Sequence, residues 1–162
     1  MPVCSGILPT LWYTGRNMNI ETIKQLVEQY TQIDSTELGD ESIRTPQLHG
    51  KFLNIFHDES LVLRKLEADW RTLRKQKWEY YNGKMSQEEL KALGWEPFAH
   101  RILRQDIDIY MDADPDLSKL SSKMDLQKAK VDYLDSVLKG INNRQWVIRN
   151  AIEWKKFLSG VT

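Results

Sequence analysis

A long, uninterrupted helical repeat most constrains what this chain can fold into. Over residues 46–84, apolar side chains recur at steps of three and four, the spacing of one face of an α-helix. Thr45 and Pro46 suit an N-cap and a first helical position, and Asn82-Gly83 suits a C-terminal stop. The pattern therefore predicts one long helix across residues 46–84. Its apolar stripe comprises Phe52, Phe56, Leu63, Leu66, Trp70, Leu73 and Tyr80, with Glu59 and Lys77 filling the two gaps.

The segments around this helix are also predicted to be helical. A short amphipathic helix covers residues 20–30, and a polar, acidic connector follows over residues 33–45. A capping box that starts at Ser86 and a stop at Gly94 bound another short helix over residues 87–93. Pro97 can begin a further helix that reaches residue 110. Alternating apolar residues leave a strand as the competing interpretation for residues 106–111, and we favour the helix.

The C-terminal part of the chain carries a second long helical repeat. It runs from residue 117 to residue 158, and Gly140 can bend or break it at a cost of about 1 kcal/mol relative to alanine. The pattern thus predicts an elongated all-α protein with a long central helix and a long C-terminal assembly helix. We divide it into an N-terminal helical region over residues 18–117 and a C-terminal helical region over residues 118–162. Residues 1–17 have no helical period, and because Met18 opens the first regular segment we expect them to be a disordered extension extra to the native protein.

The residue inventory argues against most enzyme and cofactor chemistry. Cys4 is the single cysteine, so it forms no internal disulfide, and no apolar run is long enough to cross a membrane. Neither Gly-Lys pair has the spacing of a phosphate-binding loop, and the three histidines lack metal-ligand spacing. The aspartates at positions 112, 114 and 116 lack the later residues of a calcium loop and suit helix capping instead. We expect a soluble, intracellular, non-enzymatic protein without cofactor or metal.

Basic and aromatic residues are concentrated near the end of the predicted central helix. Residues 64–84 contain seven basic and three acidic residues, although the formal charge of the whole chain is zero. Single-stranded nucleic acids are held by positive surfaces that track phosphates and by aromatic rings on which bases stack. Composition leaves open the alternative that the aromatic rings belong to the hydrophobic core and the cations only lie on the solvent-exposed face of the helix. Trp70 and Tyr80, which belong to the apolar stripe, are assigned to packing. The candidate DNA-binding residues are Arg64, Arg71, Arg74, Lys75, Lys77, Trp78, Tyr81 and Lys84.

The apolar face of the C-terminal helix indicates self-association. So much apolar surface on an elongated chain is expected to exceed what its own helices can cover, and pairing or ring formation would cover the rest. The candidate oligomerisation residues are Leu134, Val137, Leu138, Ile141, Ile148, Ile152 and Phe157. A second basic and aromatic set is interpreted mostly as exposed surface or subunit contact, and it comprises Arg144, Trp146, Arg149, Trp154, Lys155 and Lys156.

Several short segments, taken in their order and spacing, resemble the UvsY family of recombination mediators of T-even-type bacteriophages. These segments are Ile33-Asp-Ser-Thr-Glu-Leu, Lys75-Gln-Lys77 running into Tyr80-Tyr81-Asn-Gly-Lys, Asp112-Ala-Asp-Pro-Asp, and Asn143-Arg-Gln-Trp-Val-Ile-Arg with Phe157-Leu-Ser-Gly at the end. The resemblance covers residues 18–160. Residues 94–105 have no counterpart in it, and Lys77 stands where arginine is more usual.

The resemblance implies a non-enzymatic accessory factor in DNA recombination, repair and replication. Such proteins are helical, form a closed homo-oligomeric ring (hexamer or heptamer) through the C-terminal region, and bind single-stranded DNA. They help a phage recombinase to load onto DNA that is covered by the phage single-strand-binding protein, in the cytoplasm of the infected bacterial host. The family's basic-x-basic DNA-binding pair corresponds to Lys75 and Lys77, whereas the roles of Arg71, Arg74, Trp78 and Tyr81 are inferred from their positions around the helix. The alternative is a structural helical assembly or adaptor protein without nucleic-acid binding.

Overall fold

The computed structural model describes residues 18–98, 100 and 102–160, and these residues form helices and connecting segments with no β-strand. The helices are α1 (Ile20–Thr31), α2 (Leu38–Tyr81), α3 (Gln87–Leu93), α4 (Ile107–Asp112) and α5 (Pro115–Leu158), with a 3₁₀ turn at Arg104–Asp106. The predicted all-α fold with two long helices is confirmed. The prediction for residues 1–17 lies outside the described residues.

Helix α2 begins eight residues earlier than predicted. Pro46 lies inside the helix, so Thr45 and Pro46 are not at its start. The predicted connector is wrong over residues 38–45, because these residues belong to α2. The first turns are stabilised by burial of Leu38, Glu41, Thr45 and Leu48, and the Thr45 hydroxyl donates to the carbonyl of Glu41 at 2.9 Å. Tertiary packing therefore outweighs the backbone hydrogen bond that proline cannot make. The predicted stop is confirmed at the other end, where α2 finishes at Tyr81 with Asn82 as its cap.

The main hydrophobic core lies where α2 and α5 pack side by side, with α1 against them. Phe52, Ile23 and Leu134 are among its most completely buried side chains. A smaller cluster of Ile107, Met111 and Leu117 joins α4 to the first turn of α5. Helix α5 starts with Asp114 as N-cap and Pro115 at its first position.

Helix α5 continues through Gly140 without a break. Gly140 is exposed, whereas the next residue, Ile141, is buried in the main core. Burial on the inner side of α5 outweighs the cost of about 1 kcal/mol for one glycine on its outer side. The break considered possible at Gly140 is therefore absent, and the predicted start of the helix near residue 117 is close to its observed start at Pro115.

The capping signals located α3 correctly, whereas the helix predicted to begin at Pro97 is wrong. Ser86 and Glu89 form the capping box, and Gly94 takes a left-handed conformation at φ 69° that suits glycine. The described residues between Gly94 and the 3₁₀ turn are not helical, and regular helix starts only at Ile107. Phe98 instead packs its ring edge-on against Tyr80 and Tyr81 of α2, with centroids 5.6 and 5.2 Å apart. The strand considered for residues 106–111 is absent, since α4 occupies that segment.

Buried polar groups join the two long helices in the middle of the interface. Glu59 of α2 accepts hydrogen bonds at its carboxylate from Gln127 at 2.5 Å and from Lys130 at 3.0 Å. All three residues are buried, which explains why Glu59 can occupy a gap in the apolar stripe. An unpaired buried charge is costly, so this network favours one register of α2 against α5.

Candidate nucleic-acid interface

The exposed side of α2 carries a row of cations, which we call the basic stripe: Arg64, Arg71 and Lys75. All three are exposed, and the Lys75 side chain is 75% accessible. At about 100° per residue they fall within about 40° of one another around the helix. Lys75 is 3.6 Å from Glu79, an exposed contact of the kind that water and salt screen strongly. Within the described part of the chain, neither Arg64 nor Arg71 forms a salt bridge.

Aromatic rings with cations over their faces lie beside the basic stripe. Trp78 is 41% exposed, and the ammonium of Lys84 is 4.3 Å from the centre of its ring. About one turn before Trp78, the guanidinium of Arg74 lies 5.1 Å from the centre of the Trp70 ring. Planar rings and guanidinium groups are the surfaces on which unpaired bases stack. The structure therefore brings six of the predicted DNA-binding residues to one side of α2: Arg64, Arg71, Arg74, Lys75, Trp78 and Lys84.

Lys77, the second residue of the basic-x-basic pair, points into the protein. Only 6% of it is exposed, and its ammonium is 2.9 Å from the carboxylate of Asp114 and 2.6 Å from that of Asp116. The same ammonium is 4.3 Å from the centre of the Trp95 ring. Burial alone would lower the pKa of Lys77, but the hydrogen bonds to Asp116 and Asp114 outweigh it and raise the pKa above its ordinary value of 10.5. In this conformation, Lys77 joins α2 to the start of α5 and is not part of the exposed cationic surface.

Tyr81 also lies inside rather than on the exposed side. Its hydroxyl donates to Asp114 at 2.9 Å, and its ring makes edge contacts with Tyr80 and Phe98. Burial and the neighbouring Asp114 carboxylate raise the pKa of the Tyr81 hydroxyl. Tyr81 thus supports the same junction as Lys77, and its ring is not presented to solvent as Trp78 is.

Asp114 is the centre of this junction, although from the sequence it was expected only to cap a helix. It is almost fully buried, accepts backbone N–H bonds from Asp116 and Leu117, and pairs with Lys77 from 37 positions earlier in the chain. Burial raises its pKa, but the hydrogen bonds from Lys77, Leu117 and Tyr81 outweigh this and leave the pKa below the ordinary value of 3.8. One signal was available: Lys77 occupied a gap in the apolar stripe, a position that faces inward and requires a partner.

The second basic and aromatic set divides in a similar way. Arg144 is buried: its guanidinium pairs with Glu41 and donates to the carbonyls of Thr31 and Gln32, so it connects α5 to the α1–α2 turn. Arg144 therefore does not belong to the exposed part of this set. The tryptophans of the set, Trp146 and Trp154, are exposed.

Most of the predicted oligomerisation residues pack inside the chain. Leu134, Leu138 and Ile141 belong to the main core, and Ile148 is also buried. Val137 packs against that core and Ile152 is half-buried, whereas Phe157 is 73% exposed. Apart from Leu126, the large exposed apolar side chains of α5 instead lie near its C-terminal end: Trp146, Val147, Trp154, Phe157 and Leu158. Trp154 and Phe157 stack on each other with centroids 5.6 Å apart and planes 23° apart.

The described residues form neither a metal-ion cluster nor a membrane-spanning helix. No group of three or more His, Cys, Asp or Glu side chains there is arranged to hold a metal ion. None of the described helices has the length and apolar character that crossing a membrane requires.

Comparison with known proteins shows that the sequence matches one protein family and that the structure matches solved structures of the same fold. Residues 26–161 match the family model described as the recombination, repair and ssDNA binding protein UvsY. A relative, recombination protein uvsY of Enterobacteria phage T4, is 22% identical over 143 residues, which cover 88% of this chain and 99% of the relative. Two crystal structures of the bacteriophage T4 recombination mediator protein UvsY, in lattice types IV and II, superpose with TM-scores of 0.76 and 0.77 at 21% identity. They cover 86% and 88% of this chain and 99% of each T4 chain, so the fold is shared over almost the whole T4 protein.

Proposed function

Because the chain belongs to the UvsY family of recombination, repair and single-stranded DNA-binding proteins, we propose that it is a recombination mediator that binds single-stranded DNA along the exposed side of α2. The observation that supports this most strongly is the arrangement of the basic stripe beside the exposed Trp78. Phosphates would lie on Arg64, Arg71 and Lys75, and a base would stack on the ring of Trp78. Lys84, over the other side of that ring, would add a further phosphate contact.

The remaining predicted DNA-binding residues would act from beneath this surface. Lys77 and Tyr81 both hold Asp114, which caps the start of α5. We propose that they keep α2 and α5 in the geometry that exposes the basic stripe. Lys75 would then be the member of the basic-x-basic pair that contacts phosphate directly, and Lys77 the member that positions the helix.

We further propose that copies of the chain assemble into a ring, of six or seven subunits as the resemblance implies. The exposed aromatic end of α5, with Trp146, Trp154 and Phe157, supports this, because contiguous exposed apolar surface of this kind usually marks an interface. Each protomer would contribute one basic stripe. Weak contacts from several stripes to one strand would combine through high effective concentration.

Assembly of this kind would give the mediator its mechanism. A ring that holds one strand at several places can bend or constrain it, weaken the hold of a resident single-strand-binding protein, and offer the DNA to a recombinase. These two phage proteins are the proposed partners. Since the T4 relative is a bacteriophage protein, the activity would take place in the cytoplasm of the infected bacterial host.

The test compares two double variants of equal charge change. Arg71→Gln with Lys75→Gln removes two cations of the basic stripe and is expected to weaken binding of a labelled single-stranded oligonucleotide at physiological salt. Lys123→Gln with Lys128→Gln removes two exposed cations of α5; Lys123 lies beside Val62 and Leu66, away from the stripe. This control is expected to keep its affinity. Equal affinities of both variants and the parent would exclude the basic stripe as the DNA site, and a parent that binds no DNA would favour the structural adaptor alternative.

A further inference from the structure

A groove between α2 and the first turns of α5 lies next to the basic stripe. Its volume is about 530 Å³, within the range of small-molecule sites in proteins. Trp70 and Arg74 of α2 form one wall, and Ser118, Ser121 and Ser122 of α5 form the other. Trp70 was assigned to packing from the sequence, but it is only half-buried, and one face of its ring carries the guanidinium of Arg74.

The groups in this groove match the surface of a nucleobase. The stacked Trp70 and Arg74 offer planar surfaces, which bases use irrespective of their sequence. The hydroxyl of Ser122 already donates to the carbonyl of Ser118 at 2.9 Å. Within the described residues, the hydroxyls of Ser118 and Ser121 donate to no protein group, so they are available to the polar edge of a base.

An acidic side chain decides which part of a nucleotide the groove accepts. Asp112, at the end of α4, lines the groove with Met111 and Leu117. A carboxylate repels a phosphate but accepts hydrogen bonds from the N–H groups of bases. The groove therefore suits the base, and the phosphate belongs outside it on the cations.

The position of the groove around α2 connects it to the proposed phosphate contacts. At about 100° per residue, Arg74 lies about 40° around the helix from Trp70, and Arg71 lies about 60° beyond Arg74. Trp78 projects between Arg74 and Arg71. A strand whose phosphates follow the basic stripe can thus turn one base across Arg74 toward Trp70.

We propose that this groove is a base-binding subsite, in which one unpaired base of single-stranded DNA stacks on Trp70 and Arg74 and is hydrogen-bonded by the serine hydroxyls. The inference rests on the proposed function, because it assigns a place to a base of the strand that the basic stripe holds. It predicts that affinity depends on the presence of bases at this site and not only on phosphate charge.

The experiment measures the affinity of the full chain for two oligonucleotides of equal length and charge, one of thymidines and one with abasic sites. The variants are Trp70→Leu, which removes the aromatic ring, and Trp70→Phe, which keeps one. Trp70→Leu is expected to weaken binding of the thymidine strand about fivefold or more, a ratio that corresponds to about 1 kcal/mol, and to leave binding of the abasic strand unchanged. Trp70→Phe is expected to recover most of the loss, which separates stacking from a general change in the fold.

A cross-link gives an independent readout on the unmodified protein. An oligonucleotide with 5-iodouracil is irradiated in the complex, and the peptide that carries the DNA is identified by mass spectrometry. The inference expects a cross-link at Trp70. Equal losses for Trp70→Leu on both strands, or cross-links that avoid Trp70, would overturn it. If these results come with affinity that still depends on Arg71 and Lys75, the proposed function stands and only the subsite fails; if the parent binds neither strand, the proposed function fails as well.

Discussion

Replacement of Lys77 by methionine tests the junction on which the exposure of the basic stripe depends. The substitution keeps a long apolar stem but removes the ammonium that lies 2.9 Å from the buried carboxylate of Asp114. Removal of one partner from a buried ion pair usually costs about 3–5 kcal/mol, because it leaves the other charge without compensation. Asp114 keeps hydrogen bonds from Tyr81 and from the backbone N–H groups of Asp116 and Leu117. We therefore expect a loss of about 3 kcal/mol in the free energy of unfolding, at the lower end of that range.

Asp116→Asn is the matched control for this prediction. The Asp116 side chain is 56% exposed, so its contact with Lys77 is expected to contribute about 1 kcal/mol or less. Urea unfolding followed by circular dichroism, at one fixed protein concentration, measures both variants. For a slope of about 2 kcal/mol per molar urea, Lys77→Met is expected to lower the midpoint by about 1.5 M and Asp116→Asn by about 0.5 M or less. Equal midpoints for the two variants would refute the assignment of Lys77 to a buried pair with Asp114.

Three further outcomes follow from the same structure. The folded-state pKa of Asp114 lies below its ordinary value of 3.8, so its contribution to stability is present above about pH 4 and is lost as the pH falls below that value. Between pH 3 and 6, the urea midpoint should therefore fall less steeply with decreasing pH in Asp114→Asn than in the parent. Arg144→Met removes the buried cation of the Glu41 carboxylate, which keeps only its contact at 3.4 Å with the more exposed Arg44. It is expected to cost about 3 kcal/mol in urea unfolding, with recovery when Glu41→Gln is added, and a cost below about 1 kcal/mol would contradict the buried pair. Trp154→Asp with Phe157→Asp places charge on the exposed end of α5 and is expected to reduce the molar mass by light scattering, whereas an unchanged mass would exclude this end as the assembly surface.

Capping and stop signals in the sequence predicted helix ends correctly where those ends depend only on neighbouring residues. The capping box at Ser86 and the stop at Gly94 located α3 to the residue, since both act within one turn of the helix. The same kind of signal failed at Pro46 and Gly140. There, burial of α2 and α5 against each other outweighs local costs, and no neighbouring residue reveals that burial.

The candidate site was predictable in its composition but not in its orientation. At about 100° per residue, the helical repeat over residues 46–84 brings Arg64, Arg71 and Lys75 within about 40° of one another, and the structure has them exposed on one side of α2. The same repeat put Lys77 in line with apolar residues, a warning that its charge faces inward. Its partner Asp114 is distant in the chain, so only the folded arrangement of α2 and α5 shows that this cation is already paired.

The salt dependence of single-stranded DNA binding tests the central claim most directly. If Arg64, Arg71, Lys75 and Lys84 each neutralise one phosphate, log affinity is expected to fall with log salt concentration at a slope of about −3 per protomer. Arg71→Gln with Lys75→Gln should reduce the magnitude of that slope by about 1.4, while Lys123→Gln with Lys128→Gln should leave it unchanged. A slope that the first pair does not alter would contradict the claim that the exposed cations of α2 hold the phosphates of the strand.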